Sequence, residues 1–152
     1  MYMSLFKLFI TCCITVASLT GQAFAVKFSV VAPEDALTNR QPITALVYID
    51  TEGKTLSGIS GKFSFKEDLF IVRSISVESS AVSLWVEQPT VSKEKTYDGN
   101  TSISFEGIFP GGFDGVRSPY YKGVKPGLLF TVTLVPRNKG KGVFMVHDVD
   151  VR

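Results

Sequence analysis

Apolar and polar residues alternate one for one along most of this chain from residue 27 onward. Phe28, Val30 and Ala32 alternate with Lys27 and Ser29, and Ile43, Ala45, Val47 and Ile49 alternate with Thr44, Leu46 and Tyr48. Ile59, Gly61, Phe63 and Phe65 alternate with Ser60, Lys62 and Ser64. The pattern continues through 69–77, 82–87, 102–108, 128–135 and 143–151. A period of two puts successive side chains on opposite faces of an extended strand, so each run predicts a strand with one buried face. About eight strands follow, and no stretch of ten residues has helical spacing.

The turn residues agree. Pro33, Pro42, Pro89, Pro110, Pro119, Pro126 and Pro136 are expected at or beyond strand ends, where a missing N–H costs no ladder bond. Asp98-Gly99 favours a reversal between 82–87 and 102–108, predicting a hairpin with a loop over 90–101. Lys139-Gly140-Lys141-Gly142 is expected to turn the last two strands. A single sheet of this length would leave one apolar face in water, so the expected fold is an all-β sandwich. The longest irregular stretch, 110–127, is rich in Gly, Pro and Tyr, and loops of that length in a compact domain are often functional.

The first 25 residues follow a different rule. One lysine, Lys7, precedes an apolar run over 8–19, and Ala23-Phe24-Ala25 is a small-x-small cleavage signal. This is the pattern of a cleavable secretory signal peptide. The run is shorter than the ~18 residues that suggest a membrane span, so a secreted, extracellular or cell-surface location is expected with no span in the mature chain. Cys12 and Cys13 lie inside the run, not after it, which argues against lipidation. The 152-residue chain less 25 leaves one domain of 127 residues, 26–152, without cysteine. Its stability must therefore come from an apolar core and not from disulfides. With 15 basic and 14 acidic side chains and no run of like charge, it offers little to nucleic acid or an anionic membrane surface.

Candidate chemistry is sparse. His147, the sole histidine, would have to carry any Ser-His-Asp scheme, and the alternation puts it on the core-facing side with Val143, Met145, Val149 and Val151. One histidine without cysteines does not supply a zinc site. Asp148 and Asp150 share one face and, with Asp114, could in principle meet a calcium ion, yet no Asp-x-Asp-x-Asp-Gly loop occurs, and a charged edge strand is the plainer account. No metal, no cofactor and no catalytic residue is therefore expected. Glu87 and Glu106 occupy comparable places in the predicted hairpin and could face each other as the carboxylates of a glycosidase do. Opposed like charges on an open face, without a pocket to raise an acid's pKa, fit hydrogen-bonding surface groups better than an enzyme.

Trp85, the only tryptophan, alternates onto the Ser83 and Glu87 side, opposite Val82, Leu84 and Val86. It packs beneath a loop or meets a ligand, and Phe113, Tyr120 and Tyr121 in the long loop either cover it or extend the same patch. The candidate binding residues are thus Trp85, Glu87, Glu106, Phe113, Tyr120 and Tyr121.

Several segments in order carry a resemblance. Gly58-Ile59-Ser60-Gly61-Lys62-Phe63-Ser64-Phe65 leading into Leu69-Phe70-Ile71-Val72, then Trp85-Val86-Glu87-Gln88-Pro89, Ile103-Ser104-Phe105-Glu106-Gly107 and Gly127-Leu128-Leu129-Phe130-Thr131-Val132-Thr133, following an export signal, resemble a bacterial cohesin-type domain over nearly all of 27–151. The resemblance implies a single jelly-roll β-sandwich of about eight to nine strands, shared with cellulose-binding modules. It also implies a non-catalytic extracellular module with a dockerin-like protein or a polysaccharide as partner, in polysaccharide-degrading or cell-surface assemblies. Cohesins usually continue past the strand corresponding to 144–151, so a chain ending at Arg152 is either truncated or a stand-alone relative.

Two binding modes and one passive role follow. In the first, a flat polar face including Ser60, Lys62, Ser64, Ser83, Glu87, Ser102, Ser104, Thr131 and Thr133 binds a protein. In the second, Trp85, Tyr120 and Tyr121 stack sugar rings. In the third, the domain is a structural part of a surface protein. A monomer is expected in each case.

Overall fold

The computed structural model describes residues 26–33, 41–92, 99–120 and 122–152, so the predicted signal peptide over 1–25 lies outside the described residues. Eight strands form: β1 (Lys27–Val31), β2 (Ile43–Asp50), β3 (Leu56–Lys66), β4 (Phe70–Ser76), β5 (Leu84–Val91), β6 (Asn100–Phe113), β7 (Gly127–Pro136) and β8 (Met145–Val151). They make two four-stranded antiparallel sheets, ordered β1-β2-β7-β4 and β5-β6-β3-β8. The pairs β2 with β7 and β3 with β6 nest inside one another, and β4 meets β5 across the gap between the sheets, as in a rolled-up hairpin of jelly-roll type. The predicted all-β sandwich is thus the fold.

The inward positions are the ones the alternation predicts. Ala45, Val47 and Ile49 of β2, Phe63 of β3, Ile103 of β6 and Phe130, Val132 and Leu134 of β7 are fully buried. Phenyl rings dominate the centre: Phe63 lies 6.0 Å from Phe65, 6.3 Å from Phe130 and 5.7 Å from Phe144, and Phe105 lies 5.1 Å from Phe130. Tilted and edge-on arrangements of this kind suit the ring quadrupole and add to the burial energy.

Bulges are where the expected alternation breaks. Each of three edge strands carries extra residues relative to its neighbour: β4 between Val72 and Ser74, β5 between Trp85 and Glu87 and again before Thr90, and β8 opposite Ser60 to Lys62. An inserted residue flips the phase of everything beyond it. Pro89 and Pro110 lie within strands instead of at their ends, each where the ladder is irregular. The last two strands also differ from expectation. β7 and β8 belong to different sheets, so 137–144 crosses between sheets and does not close a hairpin. The predicted pairing of β5 and β6 is present, with β5 ending at Val91 and β6 beginning at Asn100, while 93–98 lie outside the described residues.

Candidate functional site

The outer face of the β5-β6-β3-β8 sheet brings the polar candidates together in ladder rows. Glu87, Glu106, Ser60 and Asp150 lie side by side across the four strands, a row with three carboxylates. Thr90, Ser104, Lys62 and His147 form the next row, then Ser102, Ser64 and Met145. On the other side of the carboxylate row, Leu84 pairs with Ile108, and Leu84, Val86 and Ile108 are all exposed. The face therefore runs from an apolar corner through an acidic row to a hydroxyl-rich centre.

The acidic row is arranged by its neighbours. Ser104 donates its hydroxyl to Glu87 Oε1 at 2.8 Å, and Thr90 does so at 3.4 Å. Arg152 places Nε 2.9 Å from Asp150 Oδ2 and a terminal nitrogen 3.8 Å from Glu106 Oε1. Lys62 Nζ lies 3.2 Å from Asp148 Oδ2, and His147 Nδ1 lies 3.4 Å from the same oxygen. The Lys62 ammonium, hydrogen-bonded to Asp148, and His147 beside it hold the Asp148 carboxyl below the usual carboxylate range. Asp150, and next Glu106, hold the Arg152 guanidinium above its ordinary value. A shallow hollow of about 200 Å³ opens among Ser60, Lys62, Glu87, Ser104, Glu106 and Asp148. It is too open to desolvate a carboxylic acid, and it suits reversible polar contact.

Three expectations need correction here. His147 does not face the core: it pairs with Lys62 and shares the outer face, while Phe144 and Val146 turn inward. The physical reason is the bulge at Asp148, whose φ of 52° shifts the phase: Val143 and Met145 stand on the outer side with His147, while Val149, on the far side of the bulge, turns toward Gly61 though it stays exposed on the edge strand. Trp85 and Glu87 do not share a side, because Val86 is the inserted residue between them. Trp85 lies across Gly107 and packs half-buried against the core, with Val82 beside it, while Glu87 is exposed. Thr131 and Thr133 belong to β7, so the single polar face expected from sequence is divided between the two sheets, and Ser83 precedes β5.

The aromatic candidates do not assemble with the acidic row. Phe113 stacks on Phe109 at 5.0 Å and contributes to the core. Tyr120 is 94% exposed, so it covers neither Trp85 nor anything else, and Tyr121 lies outside the described residues. The loop following β6 folds on itself through paired backbone bonds of Val116 and Lys125 at 2.9 Å. Asp114 there is engaged by Arg117, and no group of three metal-ligating residue types occurs among the described residues. Sequence reasoning overlooked Arg152 as the partner of Asp150 and Glu106, and Lys62 as the partner of Asp148. It also overlooked Leu84 and Ile108 as an exposed apolar pair, because both depend on register across strands far apart in the chain.

No protein-family model matches the chain, and no curated protein matches it by sequence. Among solved structures it is similar to a cohesin module from a family 33 glycoside hydrolase of Clostridium perfringens, at 14% identity over 84% of this chain and 83% of that one, with a TM-score of 0.49. It is also similar to the second type II cohesin module of the ScaA adaptor scaffoldin of Acetivibrio cellulolyticus, at 13% identity over 82% and 72% of the two chains, with a TM-score of 0.44. Among the described residues no helix is long and apolar enough to cross a membrane.

Proposed function

We propose that this domain is a non-catalytic protein-binding module that docks a dockerin-type partner on the outer face of the β5-β6-β3-β8 sheet, outside the cytoplasm. The observation that carries the reading is the composition of that face. An exposed Leu84–Ile108 pair with Val86 lies directly beside a row of three carboxylates, with Thr90, Ser104 and Lys62 in the row beyond. Protein interfaces combine such an apolar anchor with polar groups that set orientation and partner choice. A non-catalytic role is supported by the engagement of Glu87 with Ser104 and of His147 with Asp148 on an open surface, with no deep pocket around either. The leader-like sequence of residues 1–25 supports export, and attachment within polysaccharide-degrading or cell-surface assemblies accords with the cohesin-like segments of the sequence.

The test is calorimetric titration of the domain with a panel of dockerin-type modules. The expected result is saturable binding by at least one of them, weakened at least about tenfold by Ile108→Asp, a loss of the size that removing a central anchor causes. Thermal unfolding of the variant should change little, because Ile108 is already exposed. Absence of binding across the panel, or binding indifferent to Ile108→Asp and to Glu87→Lys together, would overturn the reading.

A further inference from the structure

Residues 26–152 hold a single sulfur atom. Met1, Met3, Cys12 and Cys13 all fall in the first 25 residues, and Met145 is the one sulfur-bearing residue beyond them. Packing fixes where it points. Phe144 stacks on Phe63 at 5.7 Å and meets Phe70 at 5.3 Å, and Val146 also packs against the core. Met145 lies between these two inward side chains on extended backbone, so its thioether is directed to the opposite side. It opens β8, pairs with Ser64 of β3 and is 51% exposed, and Val143 on the same side is 71% exposed. Its neighbours, Ser64 and Ser102 in the ladder and Val143 and His147 along the chain, are all among the described residues.

Methionine suits a protein-binding surface and is vulnerable there. Its unbranched, polarizable side chain adapts to an apolar partner, and it is enriched at interfaces. Val143 and Met145 give the outer face a second apolar corner, at the β8 edge, diagonally across the charged rows from Leu84 and Ile108 at the β5 edge. Oxidation at sulfur turns such a thioether into a polar sulfoxide and disrupts the apolar contacts it makes.

We propose that Met145 is an oxidation-sensitive contact of the docking face: hydrogen peroxide converts its thioether to the sulfoxide, and the oxidised domain holds its protein partner less tightly. Such a contact presupposes the docking face proposed above. A sulfur lone pair attacks one peroxide oxygen, and an S–O bond forms as the O–O bond breaks. The departing hydroxide takes the proton left on the transferred oxygen and leaves as water. Sulfur loses two electrons and the peroxide gains them. The new oxygen accepts hydrogen bonds from water, and a partner closing over it must strip that water away. No thiol in residues 26–152 competes for the peroxide or reduces the sulfoxide again.

The test treats the protein with hydrogen peroxide and follows the tryptic peptide 142–152, released by cleavage after Lys141, for one added oxygen. Met145 should oxidise at a rate close to that of free methionine, with thermal unfolding unchanged because the sulfur is already exposed. Calorimetric titration then uses a dockerin-type module that binds the untreated protein, added after the peroxide is removed. Oxidation should weaken its affinity roughly fivefold or more, the loss that a contributing interface residue gives. The bound module should in turn slow oxidation of Met145. Met145→Leu, which keeps an apolar side chain without sulfur, should bind equally with and without peroxide treatment. Slow oxidation in the free protein, oxidation as fast in the complex, unchanged affinity after oxidation, or an equal loss in treated Met145→Leu would each overturn the proposal and leave docking itself standing. Full-rate oxidation with no binding by any module of the panel would overturn the docking reading and the proposal with it.

Discussion

The two outer faces of this sandwich grow from the same core and the same alternation, yet they present opposite surfaces. The β5-β6-β3-β8 face carries Glu87, Glu106, Asp148, Asp150, Lys62, His147 and Arg152 within a few ladder positions of one another. The ladder rows of the β1-β2-β7-β4 face hold only Thr, Ser, Tyr and aliphatic residues between the Lys27–Asp50 pair at one end and Arg73, exposed at the bulge of β4. Inward positions are constrained by packing and are alike in both sheets. Outward positions are free of that constraint, so their chemistry reflects what each face meets. A charged face selects a partner of complementary charge.

The most damaging way to erase the difference is to strike the core both faces share. Phe63 is fully buried among Phe65, Phe130 and Phe144. Phe63→Ala should cost about 3–5 kcal/mol in chemical denaturation, the range for removing a buried phenyl. Docking should fall in proportion to the unfolded fraction. A loss below about 1 kcal/mol would mean that the two sheets do not depend on this ring cluster as their common support.

A narrower change separates the faces. Gly107 sits opposite Trp85, and a Cβ there would come 2.4 Å from Val82 Cγ1 and 3.4 Å from the Trp85 ring. Gly107→Ala should therefore cost about 1–3 kcal/mol by overpacking and push β5 outward. Binding at Leu84 and Glu87, measured by titration, should weaken while the pairing of β1 with β2 in the other sheet keeps its amide-exchange protection. Equal loss of protection in both sheets would show that they are coupled more tightly than their separate ladders imply.

How much of this could be read from the sequence follows the same division. The eight strands and the inward set from Ala45 to Leu134 were legible because burial imposes a strict period. The site was legible in part: Glu87 and Glu106 do face each other in the ladder. Trp85 and His147 were assigned to the wrong sides, since Val86 and Asp148 each sit at a bulge and a bulge leaves no mark on hydrophobic periodicity. Thr131 and Thr133 resembled the serines of β3 and β6 in pattern, and only strand order reveals that they lie on the other sheet. Tyr120 was singled out by type alone, and nothing in its neighbours records that it stands in solvent.

A smaller effect lies at the turn that follows β2. Thr51 is buried, and its Oγ1 has no hydrogen-bond partner among the described residues. It begins the turn in which Glu52 and Gly53 take positive φ and the Lys54 N–H donates to the Thr51 carbonyl at 3.0 Å. Glu52 is also the residue that holds Lys27. Thr51→Val keeps the shape and removes the orphaned hydroxyl, so it should raise stability by about 1 kcal/mol, near the low end of the cost of an unmet buried polar group. The gain should appear as a higher denaturation midpoint with unchanged docking. A destabilised variant would show that the hydroxyl is satisfied in solution.

The smallest effect belongs to the charged face and tests its electrostatics directly. Asp148 is fully exposed to solvent, and its carboxyl is depressed first by the hydrogen bond from Lys62 and then by His147. A carboxyl with a folded value below its unfolded one stabilises the fold above the unfolded value, near ~4, and loses that contribution as pH falls through the folded value. Asp148→Asn keeps a residue type that tolerates the φ of 52° while removing the charge. The natural protein should thus be slightly the more stable at neutral pH and low salt, and the two denaturation midpoints should converge as pH falls through the lowered folded value of Asp148. Added salt should shrink the gap at neutral pH, because exposed pairs are screened. A gap that persists into acid would assign the role of Asp148 to the geometry of the bulge, leaving Lys62 and His147 on the docking face for a reason other than this carboxylate.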